Sequence, residues 1–333
     1  MLPLTERTPQ QTNGKNIFIN RKLPEEGIQK LLDFGFTVRI WEGATVISNE
    51  LLHEQLQWCN AFLSCGGIEL TAEILKENKH LTIISQAAAG YNNIAIETAR
   101  EFGIIVANAP GTMSRATANI GFMLMLAASR KLFYMHKKIE KGEWNNFQLT
   151  DYLGQELYGK TLGVFGLGII GYEMARLCHA AFGMKILYHN RSKNEKAEAN
   201  LDAQYVSFDD LLKESDVVSV NSGLTKETKG IFNAEAFAKM KPTAIFVNVG
   251  RGGIHDEADL ITALEQKIIW GAALDVTNPE PMAADNRLLH MQNVAVAPHI
   301  GSATIEARAA MATTAAQNII SFYKGDEVVN RVN

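Results

Sequence analysis

An arginine, a carboxylate and a histidine each follow closely on a strand-like apolar run in this sequence. The runs at 244–249, 268–274 and 294–297 lead into Gly250-Arg251-Gly252-Gly253, into Asp275 and then Pro279-Glu280-Pro281, and into Pro298-His299-Ile300-Gly301-Ser302. Arg251, Glu280 and His299 together suit the reduction of a 2-keto acid. A hydride arriving at the ketone carbon leaves charge on oxygen, and a histidine, which titrates near neutrality, can donate the proton. A carboxylate beside it favours the imidazolium. An arginine offers a permanent planar cation to the substrate carboxylate and the polarised carbonyl. Taken singly, Arg251 also reads as a surface arginine, Glu280 as a solvated turn residue and His299 as a satisfied loop histidine. Their shared position favours chemistry, because ligands of open α/β sheets lie beyond the carboxyl ends of the strands. The other histidines, His255 among them, have no comparable setting.

A second constellation precedes these. The apolar run 161–165 breaks into Gly166-Leu167-Gly168-Ile169-Ile170-Gly171, after which Met174, Leu177, Cys178 and Ala181 recur at helical spacing until Gly183. A further run, 185–189, ends in Asn190-Arg191-Ser192. Strand, glycine-rich turn, helix and strand make half of a dinucleotide-binding unit. Gly166 permits the tight turn, Gly168 lets a pyrophosphate reach the backbone, and Gly171 lets helix and strand pack closely. The helix N-terminus receives the anion. Where an NAD-dependent protein places an acidic residue for the ribose hydroxyls, Asn190 stands instead, with Arg191 and Ser192 after it. Arg191 can grip a 2′-phosphate and Ser192 can donate to it, so NADP(H) is expected over NAD(H).

The elements that carry these residues repeat along the chain. Strand-like runs at 16–19, 36–40, 61–63, 81–84 and 104–107 alternate with helical patterns, one opened by Pro24 and stopped by Gly35, another capped by Thr71. The rhythm resumes after Ser192. The fold class is therefore α/β, with two Rossmann-like, doubly wound parallel-sheet domains. Residues 1–14 are mostly polar and read as a mobile tail. Residues 15–112 form a first domain without a glycine fingerprint, and 113–300 form the dinucleotide-binding domain. One long helix is expected from Ala116 through Arg130 and on to Lys141, apolar on more than one face, with Trp144 and Phe147 following it. That surface predicts a homodimer.

Composition sets the broad class. A formal charge of −4 without a long basic run argues against a nucleic-acid surface. Cys59, Cys65 and Cys178 are odd in number and lack metal-site spacing, so reduced thiols in a cytoplasmic protein are expected, with no metal. No signal peptide is legible, and the longest apolar stretch, 120–129, is too short to span a bilayer.

The segments Val247-Asn248-Val249-Gly250-Arg251-Gly252-Gly253, Ala273-Leu274-Asp275-Val276-Thr277-Asn278-Pro279-Glu280-Pro281 and Pro298-His299-Ile300-Gly301-Ser302-Ala303-Thr304 resemble the signatures of the D-2-hydroxyacid dehydrogenase family. The wording around Asp275 and the Tyr188-His189-Asn190-Arg191-Ser192 turn is most similar to the glyoxylate/hydroxypyruvate reductases within it. The resemblance implies that Arg251 binds substrate, that Glu280 partners the acid/base His299, and that Ala89 and Gly90 hold the substrate carboxylate through backbone N–H groups. It implies a contact of Asp275 with the nicotinamide amide, and that residues 15–112 with 301–333 form a flavodoxin-like substrate domain completed by the C-terminal helix. The remaining expected cofactor contacts are Thr117, Ile169, Ile170, Val249 and Gly250, and Ser302 is expected at the substrate. Ala89 stands where valine is usual, Asn119 where glutamate is, and Gly223 where proline is, which bears on substrate choice rather than reaction type. Reduction of glyoxylate or hydroxypyruvate is the leading expectation. Reduction of 2-ketogluconate and a dinucleotide-sensing corepressor role are the alternatives.

Overall fold

The computed structural model describes residues 3–146 and 148–333. Phe147, expected beside Trp144, lies outside the described residues. The chain divides into two compact units. One runs up to Met113 and resumes over Ala303–Asn333, and the other is Ser114–Ser302.

The first unit holds strands β1 (Leu4–Arg7), β2 (Asn16–Ile19), β3 (Thr37–Trp41), β4 (Ala61–Ser64), β5 (Ile83–Gln86) and β6 (Ile105–Ala107). Their order is β1-β3-β2-β4-β5-β6, with β1 antiparallel and the rest parallel. Helices cover both faces, so the inner strands are largely apolar and their side chains alternate between two cores. Ile17, Ile19, Leu63 and Ile83 share one core with Ala315, Ala316 and Ile319 of the last helix, Ile305–Lys324. Phe18, Phe62 and Ile84 turn to the other, with Leu52, Leu56 and Leu75. Thr71 caps its helix by accepting from the Ile74 N–H, as the sequence suggests.

The expected mobile tail is corrected at Leu4–Arg7. This segment is an edge strand along β3, with Glu6 opposite Arg39 in an ion pair of 2.6 Å. Its polar composition reflects an exposed edge. The partner that orders it is more than thirty residues away, so local pattern does not reveal it.

The second unit contains β7 (Thr161–Phe165), β8 (Lys185–His189), β9 (Gln204–Tyr205), β10 (Val217–Val220), β11 (Ile245–Asn248), β12 (Gly271–Leu274) and β13 (Val294–Val296). All pairs are parallel, in the order β13-β12-β11-β10-β7-β8-β9. Strand order reverses between β7 and β10, the point at which such a sheet opens a crevice for a ligand.

The expected single long helix is also corrected. It is two helices, Ser114–Ser129 and Leu132–Glu140, separated at Lys131, whose backbone is left-handed (φ 55°). The first buries Ala118, Gly121, Leu124 and Met125. The second has no buried residue and exposes Leu132 and Ile139.

Candidate active site

Site residues lie at the carboxyl ends of the strands of each unit. The fingerprint turn follows β7, and its glycines are required for different reasons. Gly166 has φ 91°, and a Cβ there would lie 2.7 Å from the Ser222 nitrogen, at the end of β10. A Cβ on Gly171 would meet the Gly166 carbonyl oxygen at 2.4 Å, so only glycine lets the helix seat on β7. A Cβ on Gly168 would meet nothing within 4 Å. Gly168 opens onto free space, and no side chain caps the helix it begins, Ile169–Phe182. The N–H groups of Ile169, Ile170 and Gly171 thus start a helix with its positive dipole end uncapped.

Across the strand-order reversal, Asn221 Oδ1 and Ser222 Oγ are buried without a hydrogen-bond partner among the described residues. Orphaned buried polar atoms are costly. Their position beside an uncapped helix start and an open glycine face fits a dinucleotide. The sequence reading missed both residues, although they directly follow β10 and the strand-end rule was available to find them.

The turn after β8 is held by Asn190, whose Oδ1 accepts from the Leu167 N–H at 2.6 Å. The Asn190 amide therefore supports the glycine turn itself. Arg191 and Ser192 are exposed beside it. Hydrogen bonds from Thr225 and the backbone lower the pKa of Glu227, with the charge of Arg191 assisting, so Arg191 lies within the field of that carboxylate.

After β11, the loop bearing Arg251 is pinned from within. Asn248 is fully buried; its Oδ1 accepts from the Gly250 N–H at 2.9 Å, and its Nδ2 donates to the Arg251 carbonyl at 3.0 Å. The same Nδ2 lies 3.0 Å from His255 Nδ1. Since Asn248 Nδ2 donates, His255 Nδ1 accepts, and its proton is on Nε2, which is buried and unpartnered among the described residues. Burial lowers the His255 pKa to about 4, only partly opposed by Asp256. Gly252 has no room for a side chain, because a Cβ would lie 1.8 Å from the Thr277 oxygen. His255 is thus the support of the Arg251 loop, a role its place in the sequence does not signal. Val249 packs on the long helix, 3.2 Å from where a Cβ on Gly121 would be.

The loop after β13 is pinned by a carboxylate. Asp275, at the end of β12, accepts from the Ile300 and Gly301 N–H groups, both at 2.8 Å, and its own carbonyl accepts from the His299 N–H at 2.9 Å. Burial raises the Asp275 pKa, and the two backbone N–H groups oppose that rise. These bonds hold His299 in a left-handed backbone (φ 52°), a conformation that a non-glycine residue adopts when its surroundings determine it. Gly301 is needed here, since a Cβ would lie 2.8 Å from Asp275 Oδ2 and 3.1 Å from Thr117 Cγ2. Thr117 and Ser302 therefore flank the same turn.

The loops bring Arg251, Glu280 and His299 together. Glu280 Oε1 pairs with His299 Nδ1, and both side chains remain partly exposed. Burial pushes the Glu280 pKa up, but the His299 hydrogen bond and charge, a backbone N–H and the Arg251 charge bring it below the usual range. Burial lowers the Arg251 pKa while Glu280 opposes that, and a guanidinium stays charged throughout. The carboxylate occupies Nδ1 and leaves Nε2 as the ring position for a substrate proton.

In the first unit, Ala89 and Gly90 follow β5. The Ala88 carbonyl accepts from the Ala109 N–H at 3.0 Å and the Ala89 carbonyl from Asn108 Nδ2 at 2.7 Å. Among the described residues neither the Ala89 nor the Gly90 N–H donates to an acceptor. Among the described residues no metal-binding cluster is present, and no helix is long and apolar enough to cross a membrane.

A family profile, D-isomer specific 2-hydroxyacid dehydrogenase, NAD binding domain, matches residues 122–301. A glyoxylate reductase of Thermococcus litoralis is 40% identical over 321 residues, covering 95% of this chain and 96% of its own. The chain belongs to the D-isomer specific 2-hydroxyacid dehydrogenases. Among solved structures, a protein from Thermus thermophilus superposes with TM-score 0.89 at 33% identity, over 96% of this chain and 100% of that one. A glyoxylate reductase from Paecilomyes thermophila does so with TM-score 0.85 at 30% identity, over 96% and 99%. This dehydrogenase is accordingly an NAD(P)-dependent oxidoreductase of 2-keto and 2-hydroxy acids, with a nicotinamide dinucleotide as cofactor.

Proposed function

We propose that this dehydrogenase reduces short 2-keto acids, glyoxylate and hydroxypyruvate, to D-2-hydroxy acids with NADPH, and that it works as a homodimer in the cytoplasm. The observation that carries the chemistry is the Glu280–His299 pair beside Arg251. The Gly166–Gly171 turn, Asn221 and Ser222 would hold the dinucleotide, whose contribution when bound is hydride for the carbonyl carbon. Ala89 and Gly90 N–H groups bind the substrate carboxylate. Arg251 holds the carboxylate and carbonyl in register and draws charge onto the carbonyl oxygen. His299 delivers the proton to that oxygen from Nε2, and Glu280 holds the ring and the cation that precedes transfer. Asp275 fixes the His299 turn and, through the same carboxylate, is suited to the nicotinamide amide.

Preference for NADPH rests on Asn190, Arg191 and Ser192. No carboxylate at the end of β8 repels a 2′-phosphate, and two exposed donors stand beside it. The dimer rests on Leu132, Phe133, Ile139 and Trp144, which expose 57%, 39%, 54% and 72% of their surface within one stretch of chain. The cytoplasm suits the free thiols of Cys59, Cys65 and Cys178.

Comparing kcat/KM for glyoxylate, hydroxypyruvate and 2-ketogluconate with each cofactor tests this. The two short acids with NADPH are expected to lead. The double substitution Asn190→Asp with Arg191→Pro is expected to reverse the cofactor preference. A wild-type preference for NADH contradicts the cofactor assignment, and faster turnover of 2-ketogluconate contradicts the substrate.

A further inference from the structure

The fingerprint turn is held from behind by side chains that lie beyond the end of β8. Leu167 stands between Gly166 and Gly168, and among the described residues neither its N–H nor its carbonyl bonds to another backbone group. Side-chain amides hold both. Asn190 Oδ1 accepts from the Leu167 N–H at 2.6 Å. The Leu167 carbonyl accepts from Asn194 Nδ2 at 2.9 Å and from Asn190 Nδ2 at 3.4 Å. Asn194 is thus the nearer donor, although it lies past Arg191 and Ser192 in the turn.

Asn194 is itself fixed on two further sides. It caps the short helix Glu195–Leu201, where its Oδ1 accepts from the Ala197 N–H at 3.1 Å. Its own N–H donates at 2.8 Å to the hydroxyl of Tyr188, a fully buried residue of β8, and that hydroxyl donates to Glu198 at 2.6 Å. With an N–H on one side and a carbonyl on the other, the Asn194 amide has one satisfied orientation, Oδ1 to the cap and Nδ2 to Leu167.

What this bond fixes is a peptide plane. A trans peptide points its C=O and its N–H in opposite directions, and the peptide from Leu167 to Gly168 is trans. A Leu167 carbonyl held toward Asn194 therefore sends the Gly168 N–H the other way. That N–H has no acceptor among the described residues, and a Cβ on Gly168 would meet nothing within 4 Å. It heads the row of donors that continues into the uncapped helix Ile169–Phe182. The Leu167 N–H belongs to the preceding peptide. Without Asn194, this plane keeps only the 3.4 Å contact from Asn190.

We propose that Asn194 is a positioning residue for the cofactor: by holding the Leu167 carbonyl it aims the Gly168 N–H at the pyrophosphate that NADPH and NADH share. The proposal rests on the reading of Gly166–Gly171 as the pyrophosphate turn. It divides the turn after β8 between two tasks. Arg191 and Ser192 are suited to a 2′-phosphate, which only NADPH carries, whereas Asn194 acts on the part common to both cofactors.

The experiment is fluorescence titration of wild type, Asn194→Ser and Gly168→Val with NADPH and with NADH, with Tm measured alongside. Serine caps a helix about as well as asparagine, but a hydroxyl engaged in the cap leaves no second donor for Leu167. Asn194→Ser is expected to weaken both cofactors about tenfold, with their ratio within about twofold and Tm within about 2 °C. Unchanged affinities, a loss confined to NADPH, or a loss that follows a fall in Tm each overturn the proposal. Gly168→Val fills the open face and is expected to weaken both cofactors more than Asn194→Ser does. If Gly168→Val weakens them and Asn194→Ser does not, the proposal alone fails. If Gly168→Val leaves both affinities unchanged, the reading of the turn fails and the proposal with it.

Discussion

Each unit has a largely parallel sheet whose strand order reverses once, and the two reversals are lined by different atoms. In the second unit the crevice between β7 and β10 is made mainly of backbone, an uncapped helix start and the open face of Gly168, with the orphaned Asn221 and Ser222 side-chain atoms across from them. In the first unit the reversal between β2 and β4 is closed by side chains, with Arg21 laid over Gly67 and Asn20 tying the two strand ends together. Backbone N–H groups suit a pyrophosphate that must approach the main chain closely. Topology sets where a ligand goes, and the residues at the strand ends set which one.

The largest way to break this contrast is Gly166→Ala. The new Cβ meets Ser222 backbone in a left-handed turn, so the β7 and β10 ends must part. NADPH affinity, followed by fluorescence titration, is expected to weaken about a hundredfold or more, with about 1–3 kcal/mol of lost stability. Retained affinity would show that the turn adapts and that the crevice is not built from close backbone contact.

Acid sharpens the contrast, because the Arg251 loop leans on a histidine whereas the Cys65 loop leans on an asparagine that does not titrate. The His255 pKa falls from 6.5 in the unfolded chain to about 4 in the fold. The unfolded state therefore binds more protons between those values. The stabilisation is full above about pH 6.5 and is lost as pH falls through that window, by about 3 kcal/mol at pH 4. Protonated Nδ1 would also face the Asn248 amide donor, loosening the hold on Arg251. Asp275, with a raised pKa, acts in the opposite sense, since its part of the stability falls as pH rises above the ordinary carboxylate range. Denaturant unfolding from pH 7 to 4 is expected to show a steeper loss in wild type than in His255→Gln. Identical pH slopes would remove His255 from this role.

The smallest expected effect is Asn20→Ala. It leaves the Gly66 carbonyl and Cys65 N–H unpaired and is expected to cost about 1–3 kcal/mol, without changing NADPH affinity. A matching loss of NADPH affinity would show that the two reversals are not independent.

Much of this was legible in the sequence because it depends on local geometry. The fingerprint is written in glycines, and Gly166 and Gly171 occupy positions that admit no Cβ. Arg251, Glu280 and His299 were found by reading past the ends of apolar runs, and the structure brings them together. What escaped depends on partners distant in sequence. Leu4–Arg7 is a strand only because Arg39 and its neighbours complete it. The long helix breaks at Lys131, where nothing in the apolar pattern marks a stop. Asn248 and His255 act on Arg251 from beneath, and Asp275 acts on the His299 turn through backbone N–H groups, which leave no trace in residue type.

The most direct measurement is kcat for glyoxylate reduction by His299→Ala, made alongside the NADPH dissociation constant. If His299 is the proton donor, kcat falls by about two to four powers of ten while the dissociation constant stays within about threefold. A kcat near that of wild type, or an equal loss of turnover and NADPH affinity, would contradict the assignment.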